Sequence, residues 1–155
     1  MEFYCDGSRI SYKNDSIIGW GCCNEYGFFS GGSLLGGTNV NAEMFAIESC
    51  LKKLATYNFT YMLGVKDVVI VTDSKTSIQI INGYFKHPEE FDLKMLNYKL
   101  ADSIVKYIRK ITDRGMMVAF KHVDGHEKNI GNNFADYIAT EKSRQLKEKL
   151  ESYKV

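Results

Sequence analysis

Four acidic residues of this chain stand at places where chemistry is commonly done. Asp6 lies in YCDGS, Glu43 in TNVNAEMFAI, Asp73 in VIVTDS and Asp136 in GNNFAD. Four carboxylates brought within a few ångströms in a partly desolvated pocket repel strongly, and at neutral pH a counter-charge must be present. Hard divalent cations with oxygen ligands supply it, and Mg2+ suits carboxylate, water and phosphate together. Two such ions about 4 Å apart can hold a phosphodiester, activate a water and stabilise the departing oxygen. Acting together, the four acids would do phosphoryl transfer. Each alone has a plainer use: Asp6 before Gly-Ser as a turn residue, Asp73 as a strand-end cap, Glu43 as a partner of the helix dipole and Asp136 as a helix-surface acid.

Their convergence is a demand on the elements that carry them. Glu2–Asp6 reads as a first strand closed by Gly7. Ile17–Asn24 and Tyr26–Gly32 read as a hairpin turning near Glu25. From Asn41 the period changes: Met44, Ile47, Leu51 and Leu54 recur at helical spacing, with Glu43 at the helix start and Glu48 on the solvated flank. Val68–Thr72 is a short apolar run, the pattern of a strand covered on both faces. Ser74 can cap the helix that follows. After a looser segment from Gly83 to about Phe91, a long helix carries Leu93, Leu96, Leu100, Ile104, Ile108 and Ile111 inward and ends near Gly115. Met116–Val123 reads as another strand, and a final helix starting near Asn132 or Asn133 holds Asp136 in its first turns. The order β-β-β-α-β-α-α-β-α predicts an α/β fold: a five-stranded mixed sheet in the order 3-2-1-4-5 with helices on both faces. A right-handed crossover beside the meander makes strands one and four neighbours, which lets Asp6 meet Asp73.

One proline, no Ser/Gly-rich linker and no repeat in 155 residues predict a single domain over 1–155. The formal charge of +1 excludes nothing; a nucleic-acid binder of this balance would segregate its basic residues onto one face. The opening MEFYCDGS holds neither a basic leader nor an apolar run. No stretch approaches the roughly 18 apolar residues needed to cross a bilayer. The cysteines at 5, 22, 23 and 50 form no C-x-x-C pair. They read as reduced, buried small hydrophobes, and the expected location is cytoplasmic.

In their order, YCDGS, TNVNAEMFAI, VTDS and HVDGHEKNIGNNFAD resemble the four signature blocks of type 1 ribonuclease H. The last is the most specific: Gly-His, the fourth acid ten residues after that histidine, and an asparagine four residues before the acid. The similarity runs from about Phe3 to Ala139. It implies the ribonuclease H-like fold and a monomeric endoribonuclease, with no membrane, that hydrolyses the RNA strand of RNA–DNA hybrids to 5′-phosphate and 3′-hydroxyl ends. By the same resemblance Asp6, Glu43, Asp73 and Asp136 ligate two Mg2+ ions, for which Mn2+ can substitute. His126, on the loop before the last helix, assists proton traffic or product departure. Thr38 and Asn39 match positions that grip a DNA-strand phosphate and the minor groove, and Asn132 supports the metal site. Gly7, Ser8 and Ser74 fall in the substrate-contacting segments.

The chain departs from the family pattern in places. RISYKNDSIIGWG replaces a glycine-rich stretch, Val40 stands where a second asparagine often contacts the groove, and Lys75 replaces a frequent glutamine. Many members carry a basic protrusion before the long helix. Here the interval Asn82 to Lys94 sets Lys86 and Lys94 against Glu89, Glu90 and Asp92, a formal charge of −1. Lys99, Lys106 and Lys110 share one side of the long helix, as a partial substitute or as a solvated face.

Integrases and transposases use such a fold with a glutamate as the last acid, whereas here the glutamate comes second. A Rossmann-like binder would show G-x-G-x-x-G after the first strand, and none is present. The rival of another class is a catalytically idle nucleic-acid-binding module of the same fold. Such a module would be expected to lose acids first, and all four are retained.

Overall fold

The structure is a computed structural model that describes residues 1–57, 64–125 and 129–153. β1 (Glu2–Tyr12) turns tightly at Lys13 and Asn14 into β2 (Asp15–Cys23), and β3 (Phe29–Leu35) extends the meander. α1 (Asn39–Thr56) crosses to β4 (Asp67–Thr72). α2 (Lys75–Lys86), a 3-10 turn at Pro88–Glu90 and α3 (Leu96–Thr112) lead to β5 (Met117–His122) and to α4 (Ile130–Ser152). The sheet order is β3-β2-β1-β4-β5, with β1, β2 and β3 antiparallel and β1, β4 and β5 parallel, as the element order predicts.

Local chemistry explains the elements. Thr38 Oγ1 accepts from the Asn41 N–H at 3.1 Å while Asn41 Oδ1 accepts from the Thr38 N–H at 2.9 Å. This reciprocal box satisfies two groups at the α1 start that the helix itself cannot. Ser74 caps α2 as read, accepting from the Ser77 N–H. In β4, Val68, Ile70, Val71 and Thr72 are buried, which is why that run is apolar almost throughout.

The main core lies between the sheet and the helices α1 and α3: Phe3, Ile70, Met44, Ile47, Leu51 and Ile104 are fully buried there. α4 covers the other face over the meander, where Cys23, Ala135 and Ile138 pack with Tyr4. It sinks close to β2: a Cβ on Gly21 would stand 2.6 Å from that of Ile138.

Some boundaries differ from the sequence expectation. Gly7 does not close β1; the strand runs on to Tyr12, and an additional hairpin precedes the one near Glu25. Beyond Asp6 the residues of β1 are half-buried or exposed, so this stretch carries no apolar signature. The long helix starts at Leu96, leaving Leu93 outside it and 44% exposed. The last helix starts at Ile130, because Asn129 accepts from the N–H groups of Gly131 and Asn132 and so sets the cap earlier. All four cysteines are free and buried. Among the described residues no helix is long and apolar enough to cross a membrane.

Candidate metal centre

Strand register brings the first two acids together. β1 and β4 run parallel, with Tyr4 opposite Val71, and two residues further along each chain lie Asp6 and Asp73. α1 then passes directly over β1 at Gly7, which holds Glu43 against Asp6. One carboxylate oxygen each from Asp6, Glu43 and Asp73 lies within 4.8 Å of the others. Asp136 reaches the same place from the second turn of α4. It lines a cavity of about 200 Å³ together with Asp6, Asp73, Cys5, Gly125, Asn132 and Asn133.

The acids of this cavity act on one another in a partly desolvated setting. Burial, then the charges of Asp6 and Asp73, push the Glu43 carboxyl up to about 10. Burial and the charge of Asp73 push Asp6 up to about 7, although the Gly7 N–H donates to its Oδ1 at 2.9 Å. Asp73 is also raised, chiefly by burial, against the lowering effect of a hydrogen bond from its own backbone and, less, of His122. Glu43 Oε2 is buried and finds no hydrogen-bond partner. An orphaned carboxylate oxygen facing two further acids is a place for a cation, since a buried acceptor otherwise costs about 1–3 kcal/mol. The donors are all oxygen, which suits Mg2+ or Mn2+ better than a thiolate-seeking metal.

The other expected residues are distributed more widely. His126 lies outside the described residues; Gly125 before it lines the cavity. Asn132 also lines it. Thr38 and Asn39 are exposed at the start of α1. Thr38 borders a separate cleft of about 300 Å³ with Asn41, Asn97 and Tyr98, where Asn41 Nδ2 donates to Asn97 Oδ1 at 2.6 Å. Gly7, Ser8 and Ser74 are engaged within the protein: Gly7 under α1, Ser8 Oγ at 3.4 Å from Ser143 Oγ, and Ser74 Oγ on Ser77. Glu48 is half-buried and stands apart from the cluster of Asp6, Glu43 and Asp73.

Sequence reading missed Asn97, Asn133 and His122 as neighbours of these two places. Asn133 follows the matched Asn132 directly, and His122 opens the HVDGH block, so both had a signal. Asn97 had none, because only tertiary contact brings α3 against the start of α1. In the interval before α3, His87, Glu89 and Glu90 cluster on the surface, with His87 Nδ1 3.6 Å from Glu89 Oε1, so no basic handle stands there. On α3, Lys106 Nζ is already paired with Asp102 at 2.8 Å, and Lys110 lies over the Tyr107 ring.

The RNase H family model matches residues 1–144. The solved RNase H1 of the halophilic archaeon Halobacterium salinarum NRC-1 is 21% identical at a TM-score of 0.56, over 93% of this chain and 97% of its own. The foamy viral protease-reverse transcriptase in complex with dsDNA is 23% identical at a TM-score of 0.68, over 93% and 94% of the two chains. The same viral enzyme with an RNA/DNA hybrid is 21% identical at a TM-score of 0.65, where the match spans 93% of this chain and 20% of the viral one. At these identities the likeness is one of fold. No individually curated protein sequence matches.

Proposed function

Because the chain belongs to the RNase H family, we propose that it is an endonuclease that hydrolyses the RNA strand of RNA–DNA hybrids, leaving 5′-phosphate and 3′-hydroxyl ends. The observation that carries this reading is the unpartnered Glu43 Oε2 beside Asp6 and Asp73. Asp6, Glu43, Asp73 and Asp136 would hold two Mg2+ ions, or Mn2+ in their place. When bound, such ions neutralise the acids, polarise the phosphate and make a water nucleophilic.

The protein's own groups do the rest. Asp6 and Asp73, fixed by adjacent parallel strands, keep two carboxylates at a set separation, and α1 presses Glu43 onto them. Asp136, exposed on α4, closes the set from the opposite side. Asn132 steadies that edge of the cavity, and His126 takes up or delivers a proton as the product departs. Thr38 and Asn39, with Asn97 across the smaller cleft, offer hydroxyl and amide donors to a phosphate of the DNA strand. Gly7, Ser8 and Ser74 support this surface from within. The protein acts as a monomer in the cytoplasm under the same reading.

Incubating the protein with a labelled RNA–DNA hybrid, with and without Mg2+, beside duplex DNA and duplex RNA, tests it. Cutting confined to the RNA of the hybrid, and only with metal, is expected. Robust activity in excess EDTA, or equal cutting of duplex DNA, overturns it.

A further inference from the structure

Arg9 stands two residues past Gly7 in β1, so both share the strand face that the start of α1 covers. It lies opposite Ile18 in the β1–β2 register, and Ile18 packs under Gly37, where a Cβ would stand 2.8 Å from the Ile18 Cδ1. Arg9 Nε donates to the Gly37 carbonyl at 3.3 Å, on the peptide bond that leads into Thr38. That carbonyl is held in place. The buried Ser16 donates to it through Oγ at 2.8 Å, and the Gly36 N–H donates to the Ser16 carbonyl at 2.6 Å. One edge of the guanidinium is thus moored to a rigid point beside the start of α1.

Its other edge is uncommitted. Arg9 is exposed, and among the described residues no carboxylate pairs with it. By contrast, Arg144 bridges Glu141 and Glu148, and Arg114 donates to the carbonyls of Leu54 and Ala55. The donors proposed above for a DNA-strand phosphate, the Thr38 hydroxyl and the amides of Asn39 and Asn97, are all neutral. A phosphodiester carries a full negative charge, and the terminal nitrogens of a guanidinium match two of its oxygens. A side chain already held in position also loses less freedom when it binds.

We propose that Arg9 is a positioning residue for the substrate, and that its free edge grips the DNA-strand phosphate that Thr38 faces. The proposal rests on the function proposed above. It gives the extension of β1 past Gly7 a purpose, since that extension presents residue 9 at the start of α1. At about 3.3 Å per strand residue, the Arg9 α-carbon lies roughly 10 Å from that of Asp6. Arg9 therefore holds a different phosphate from the one at the metal centre and does not touch the reacting atoms. It adds one cationic contact from β1, where the acidic interval before α3 adds none.

Hybrid cleavage is measured for the wild type, Arg9→Ala and Arg9→Lys, with melting temperatures in parallel. Binding is followed across a salt series by fluorescence anisotropy in an Asp73→Asn background, in which turnover is nearly lost. Arg9→Ala should raise KM about fivefold to twentyfold, as loss of one charge-assisted contact does, with kcat within about twofold. The slope of log Kd against log salt should become shallower by about 0.7–0.9, the mark of one phosphate no longer neutralised. Arg9→Lys keeps the charge, so it should keep the wild-type slope and recover part of the affinity. Both variants should melt within about 2 °C of the wild type, since the residue is exposed.

Uncharged methylphosphonates, placed one at a time along the DNA strand, identify the phosphate. One position should weaken binding severalfold in the protein that retains Arg9 and leave Arg9→Ala binding unchanged. An unaltered KM and slope in Arg9→Ala, an effect on kcat alone, or no DNA position whose cost depends on Arg9 overturns the proposal. If the wild type binds hybrid but cuts none, the binding measurements still decide on Arg9, and the proposed activity falls instead. If it binds no hybrid, both fall.

Discussion

A side chain on Gly7 would stand 2.6 Å from the backbone nitrogen of Glu43, so the approach of α1 to β1 depends on that residue being glycine. The same contact sets the distance between Asp6 and Glu43. Gly7→Ala should lift the helix, cost about 1–3 kcal/mol as overpacking does, and lower hybrid cleavage by more than tenfold. Melting temperature and Mn2+ affinity by calorimetry check it. A variant that binds metal and cuts like the wild type contradicts the role given to this contact.

Asp73→Asn separates stability from activity. Removing one of the clustered charges relieves repulsion in the metal-free protein, yet deprives the cation of a ligand. The variant should melt at or above the wild-type temperature in EDTA while losing more than about 90% of turnover, at least roughly 1.4 kcal/mol of transition-state stabilisation. Retained activity above that level removes Asp73 from the metal centre.

The raised carboxyls give the stability a sign with pH. Asp6 moves from 3.8 to about 7 on folding, so the fold favours its protonated form. That contribution is complete below the unfolded value and is lost as pH rises through about 7; Glu43 extends the loss towards about 10. At about 1.4 kcal/mol per tenfold change in proton affinity, Asp6 bounds the loss near roughly 4 kcal/mol. In EDTA the melting temperature should fall by several degrees between pH 5 and 8, and Mg2+ should recover most of it at pH 8. A melting temperature that is flat in EDTA and indifferent to Mg2+ contradicts the clustered-acid reading.

His126→Ala should slow cleavage by about 10- to 100-fold without abolishing it, in the range of general acid–base catalysis. Single-turnover rates of the two proteins at saturating Mg2+ measure this. A variant as inactive as Asp73→Asn would make the histidine more central than a proton carrier.

The missing basic handle predicts weak grip. With Lys106 held by Asp102 and the segment before α3 acidic, few phosphates are neutralised, and the salt dependence of binding follows their number. The isolated chain should show a high KM, a near-normal kcat at saturation and a shallow dependence of KM on salt. A Lys99/Lys106/Lys110→Ala triple variant should change KM by less than about threefold. Nanomolar hybrid binding at physiological salt would overturn this.

Much of the fold was legible because it is written in local chemistry. The apolar run of β4, the helical spacing of Met44, Ile47, Leu51 and Leu54, and the Ser74 cap are short-range features, so element order and sheet order followed from them. The four acids were legible as a set, since each falls in a block of recognisable spacing. The second half of β1 was not, because its residues face partly into solvent and carry no apolar pattern. The cap at Asn129 and the contact of Asn97 with Asn41 also escaped, the latter because nothing near Asn97 in the chain records its neighbour.

What the sequence by itself determined is which groups could meet: four carboxylates on β1, α1, the end of β4 and α4. Tertiary structure alone decided how they meet. The parallel register sets Asp6 beside Asp73, Gly7 admits α1, and the low-dielectric surroundings leave Glu43 Oε2 without a donor. Those are properties of distances between remote segments, and a linear pattern of residue types does not encode distance.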